Sequence, residues 1–75
     1  SNAERRELKK RFDAVTRKLD KLQGEPDRLR AEMANAPADD FEKLMALQQE
    51  LDATLAQTSD LEDEWLELSD RLGLD

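Results

Sequence analysis

From Leu8 onward the apolar residues recur at alternating steps of four and three: Leu8, Phe12, Val15, Leu19, Leu22, Pro26, Leu29, Met33, Ala36. This is the spacing of a coiled-coil seam, with Leu8 at a d position and Phe12 at an a position. One stretch conflicts with it. In KLQGEPDRLR, Gly24 and Pro26 are residues that usually end a helix, glycine costing ~1 kcal/mol and proline ~3 kcal/mol in a helix interior. The stripe nevertheless keeps its phase from Leu22 to Leu29, which favours one helix over residues 4–34, kinked at Gly24/Pro26. The alternative is a break, with Pro26 opening a new helix.

The first helix should end near Ala34, with Asn35 in a left-handed conformation and Pro37 preventing continuation. After a turn over residues 35–39, Asp39 and Glu42 give a capping-box-like start to a second helix over 40–72. Its stripe is Leu44, Leu47, Leu51, Thr54, Thr58, Leu61, Trp65, Leu68, Leu72, and Gly73 closes it as a C-cap. Two helices of this length joined by about five residues run antiparallel. The fold class predicted is all-α, an antiparallel two-helix coiled-coil hairpin. Its seam packing centres on Leu8, Phe12, Leu61, Trp65 and Leu68.

Charge selects a register. With a positions set against d positions, one register joins Arg11 to Glu64, Lys9 to Glu62 and Glu32 to Lys43, and leaves Glu25 against Glu50. The other brings Arg11 onto Arg71 and Glu32 onto Glu50. Exposed pairs contribute only ~0.2–1 kcal/mol each, but like charges in contact exclude a register. The first is therefore expected, stacking Leu8 on Trp65, Phe12 on Leu61, Leu22 on Leu51 and Leu29 on Leu44.

The 75 residues allow one small domain, and 41% charged residues against 4% aromatic suit solvent-flanked helices. Ser1, Asn2 and Ala3 read as an expression-tag remnant, and residues 4–75 as a fragment of a longer chain. Without cysteine or histidine there is no disulfide, zinc or histidine chemistry. Two distant glycines cannot build a phosphate-binding loop. The many carboxylates lie on solvated faces with nothing to perturb them. The fragment is expected to have no catalytic site, metal or cofactor. No apolar run spans a membrane and no signal peptide is visible, so a cytoplasmic location is the default.

The net charge of −7 hides a division: ten Lys/Arg against seven Asp/Glu in residues 1–36, two against twelve in 37–75. Two halves that attract each other account for it. Of the basic residues, Lys9, Arg11 and Lys18 flank the seam, whereas Arg6, Lys10, Arg17 and Lys21 fall at b, c or f and point outward. Such a row can track a phosphate backbone, although a plain solvated face has the same composition and no aromatic residue is interleaved. Leu66 and Met45 should be exposed, and Leu55 should support the threonine-weakened centre.

The segment RLRAEMANAPADDFEKLMALQQELDATLAQTSDLEDEWLELSDRLG resembles the C-terminal coiled-coil domain of ABC-F ATPases of the Uup type. Its most specific parts are E-x-W-L-E-L and the linker from AEMA to EKL. GEP departs from that family, which usually continues its first helix there. The resemblance implies a parent with two tandem cassettes that bind ATP and Mg, and an extension that contacts DNA or the ribosome, here through Arg6, Lys10, Arg17 and Lys21. Two other functions fit the pattern. One is a structural hairpin that docks on the parent cassettes or forms a homodimer. The other is a tRNA-binding coiled-coil arm of an aminoacyl-tRNA synthetase, which the EWLEL closing and the acidic second helix disfavour.

Overall fold

Pro26 has no N–H to offer the carbonyl of Leu22, and the first helix breaks where that bond is missing. The computed structural model describes residues 1–74. In it α1 (Asn2–Leu22) stops, Gln23 and Gly24 form a turn, and α2 (Glu25–Asn35) starts with Pro26 in its first turn. Both turn residues keep right-handed dihedrals, Gln23 at φ −55°, ψ −40° and Gly24 at φ −93°, ψ −5°. The axis is consequently bent by only 23°. The Arg28 N–H bonds the Gly24 carbonyl at 3.1 Å, so the helical ladder resumes just past the ring. The expected kink is present, and it coincides with a helix start at Glu25, Pro26 lying in the first turn.

The helix ends depart from expectation at three places. α1 begins at Asn2, not residue 4, because Ser1 Oγ accepts the Glu4 N–H at 3.2 Å and draws the tripeptide into the helix. Asn35 remains helical, and no non-glycine residue has positive φ among the described residues. The helix stops instead because Ala36 swings to φ −71°, ψ 148°, the extended conformation that a following proline imposes. α3 (Phe41–Leu72) is capped by Asp40, not Asp39: Asp40 Oδ1 accepts the Lys43 N–H at 3.1 Å. With Lys43 at that position no side chain returns the bond, so the reciprocal capping box is absent.

At the far end Gly73 adopts φ 71°, ψ 36°. Its N–H bonds the Asp70 carbonyl at 3.0 Å, and the Leu74 N–H bonds that of Ser69 at 2.9 Å. This is a Schellman termination, which requires the left-handed residue that glycine supplies.

α1 and α2 lie antiparallel on the unbroken α3, giving a rod of 58 × 17 × 15 Å. The all-α helical hairpin is thus the observed architecture. Every expected seam position is shielded from solvent to some degree. The bend divides the core in two. Val15, Leu61 and Leu68 form one buried cluster, with Leu8, Phe12, Leu19, Leu22 and Trp65 against it. Leu29, Leu47 and Leu51 form the other, with Met33. Val15 and Leu29 are fully buried. No helix among the described residues is long and apolar enough to cross a membrane.

The register differs from the one expected. Trp65 meets Phe12, ring centroids 5.3 Å apart, rather than stacking Phe12 on Leu61. Arg5, seven residues before Phe12, reaches Leu72, seven residues after Trp65. Leu29 packs with Leu47 and Leu51 instead of with Leu44. Leu29, a d position, thus shares its cluster with a d′ and an a′ residue, while Arg11 keeps its expected partner Glu64, so the helices are offset from the expected register by less than a heptad. The offset lets the two largest seam residues share one layer.

Candidate nucleic-acid interface

Ion pairing separates the cations of the hairpin into those engaged within it and those left to solvent. Arg11 forks onto Glu64 with Nε–Oε2 at 2.6 Å and Nη2–Oε1 at 2.7 Å, as expected. This pairing raises the Arg11 pKa, and the hydrogen bond from Arg11 is the main reason the Glu64 pKa is lowered, with Lys18 adding a smaller pull. Lys9 does not reach Glu62. It binds Asp13 on its own helix at 2.8 Å and lies 5.5 Å from the centre of the Phe12 ring. Glu32 likewise pairs with Arg28 rather than Lys43.

Arg28 is the most connected cation of the hairpin among the described residues. It contacts Glu25 at 2.7 Å, Glu32 at 3.1 Å and, across the hairpin, Glu50 at 3.6 Å. The juxtaposition of Glu25 and Glu50 is thereby relieved by one guanidinium that serves both. Its hydrogen bond to Glu25 is the main reason that carboxyl's pKa is lowered.

Arg5 also lies outside the expected set. Its Nη2 donates to the Leu72 carbonyl at 3.2 Å, a cation on the negative end of α3. Extending the seam one heptad back from Phe12 reaches Arg5, and that phase was the available signal. Thr16, beside the seam, is the other omission: its hydroxyl donates to the Phe12 carbonyl at 2.9 Å and accepts the Trp65 indole N–H at 3.0 Å.

Arg6, Lys10, Arg17 and Lys21 are all exposed on α1, and none forms an ion pair within the described residues. At 3.6 residues per turn they occupy an arc of roughly 60° and a length of about 22 Å. Asp13 and Asp20 border the row, and Asp13 is already occupied by Lys9. A shallow groove along this face is lined by Asn2, Arg5, Arg6, Lys9, Lys10 and Asp13. The 21-residue α1 holds the four cations along one face. The arrangement offers a linear anion no cleft, only a charged edge.

Of the expected seam residues, Leu61 and Leu68 are buried, and Leu8, Phe12 and Trp65 pack against their cluster. Leu66 and Met45 are exposed, as anticipated. Leu55 borders a groove with Leu19, Leu22, Pro26 and Thr58 at the bend. The model of one protein family, ABC transporter C-terminal domain, matches residues 1–70. No curated protein and no solved structure matches the chain.

Proposed function

The chain belongs to the ABC transporter C-terminal domain family, and on that premise we propose that it contacts nucleic acid through the outer edge of α1. The parent would be an ABC-F ATPase of the Uup type, which the EWLEL closing and the AEMA-to-EKL linker resemble. ATP and Mg would be bound by its cassettes, and the hairpin would work in the cytoplasm beside them as a non-catalytic accessory.

The observation that supports this reading is the sorting of cations. Lys9, Arg11, Arg28 and Arg30 are engaged by carboxylates of the hairpin. Arg6, Lys10, Arg17 and Lys21 are not, and they share one edge. Folding has no use for their charge, whereas a row of free cations suits a chain of phosphates, which binds by counterion release. The acidity of α3 confines the contact to α1. Such contacts position a nucleic acid without reading its bases.

The test is a salt titration of binding to duplex DNA and to structured ribosomal RNA. Replacing Arg6, Lys10, Arg17 and Lys21 together with glutamine should weaken binding and reduce the slope of log K against log salt by about 3–4 for DNA. Lys43→Gln with Arg71→Gln, away from that edge, should leave the slope nearly unchanged. Equal binding by the quadruple variant and the unaltered chain would refute the assignment.

A further inference from the structure

α3 carries a second stripe that nothing in the hairpin covers. Its exposed large apolar side chains are Phe41, Met45, Leu55 and Leu66, at 73%, 62%, 42% and 62% exposure. All four fall at e′ or b′ positions, on an arc of roughly 80° along one flank of the helix. They belong to one heptad-spaced row with the exposed Gln48, Asp52, Ser59 and Glu62 between them; the row ends before Ser69, which the hairpin buries. α1 has no comparable row: its outward positions are charged or polar.

We propose that this flank joins a second copy of the chain, α3 against α3 in antiparallel orientation, with the two-fold axis at Leu55. The residue order points to this partner because the row complements itself when reversed. With e′ positions set on e′ and b′ on b′ in the reversed copy, Leu55 meets Leu55, Met45 meets Leu66, Asp52 meets Ser59 and Gln48 meets Glu62. Each carboxylate then faces a hydrogen-bonding neutral side chain. A parallel pairing sets Asp52 on Asp52 and Glu62 on Glu62, which like-charge repulsion excludes. The groove formed by Leu19, Leu22, Pro26 and Thr58 beside Leu55 gives the second leucine a seat. Lys10, Arg17 and Lys21, at f and c positions, remain outside the contact, so three of the four cations of the phosphate edge stay open in the dimer.

Three apolar layers make a small interface, and the association is accordingly weak. Sedimentation of the full chain should show the mass rising from one chain toward two as concentration approaches the millimolar range. Leu55→Glu, which sets two carboxylates face to face, should weaken association at least about tenfold with helicity unchanged by circular dichroism. The chain has no cysteine, so Leu55→Cys should give a disulfide-linked dimer under mild oxidation. Met45→Cys alone and Leu66→Cys alone should not, while their mixture should. A single-chain mass at every concentration, equal association by Leu55→Glu, or equal cross-linking at all three positions would overturn the proposal.

Discussion

The indole N–H of Trp65 donates to Thr16 Oγ1 at 3.0 Å, and the Thr16 hydroxyl donates in turn to the Phe12 carbonyl at 2.9 Å. The Phe12 ring is itself the neighbour of Trp65, at 5.3 Å. One threonine therefore allows the largest side chain of the seam to turn inward without stranding its polar atom. Thr16→Val should destabilise the chain by about 1 kcal/mol, the lower part of the range for a lost partner because the site is only partly buried. In a Trp65→Phe background the same change should cost clearly less. Urea unfolding of the four chains checks this, and additive effects would count against the coupling.

The two glycines should respond in opposite directions to alanine. Gly24 has right-handed dihedrals and nothing within 4 Å of where a Cβ would stand. Gly24→Ala should raise stability by about 0.5–1 kcal/mol, since it restricts the unfolded chain without strain. Gly73 is at φ 71°, and Gly73→Ala should lower stability by about 1 kcal/mol. Thermal midpoints of the two variants, moving up and down respectively, provide the measurement.

Acid should loosen the hairpin through Glu25 and Glu64. Their pKa values are lowered in the folded chain, chiefly by the hydrogen bonds from Arg28 and Arg11. A lowered carboxyl pKa gives stability that is complete above the unfolded value, near ~4.3, and is lost as pH falls through the folded value. The thermal midpoint should hold steady from neutrality to about pH 5 and decline below it. In Glu64→Gln the neutral-pH midpoint should be lower and the decline shallower, the two curves approaching each other in acid. Parallel curves would mean that the Arg11 pair is not a source of the pH dependence.

Because the core is divided, the halves should fail separately. Leu29 is fully buried in the cluster that holds α2 to α3. Leu29→Ala should cost about 2–4 kcal/mol, a large share of what a domain of this size possesses. Hydrogen exchange should then quicken in α2 and the first turns of α3, while amides near Val15 and Leu61 keep more of their protection. Uniform loss along the rod would show a single cooperative unit instead.

The hairpin could be read from the chain because its signal is periodic and repeated: eighteen positions in two stripes agree on one inner face, and no single exception outweighs them. Its register could not. Setting a against d′ admitted two alignments, and charge chose between them correctly at Arg11 and Glu64. The meeting of Phe12 with Trp65 lay outside that choice, because it depends on the volume of Trp65 and on the hydroxyl that meets it. The caps failed for a more local reason. Asp39 and Asp40 are equally good capping residues in sequence, and only the dihedrals set by the turn decide which one accepts the Lys43 N–H. The outward cations, defined by heptad phase alone, are where that phase places them. Arg28 stands at a c position, which heptad phase alone turns toward water, and only the placement of Glu25, Glu32 and Glu50 around it makes it central.

The hydrogen bond from Arg5 to Leu72 fixes both chain ends at the same extremity of the rod. Whatever is joined to either end consequently holds the loop of residues 36–40 at a stand-off of about 48 Å, the length of the 32-residue α3. α3 crosses that span without interruption and acts as the stiff mast. The loop at its summit can touch objects far from the point of attachment, with a reach set by helix length alone.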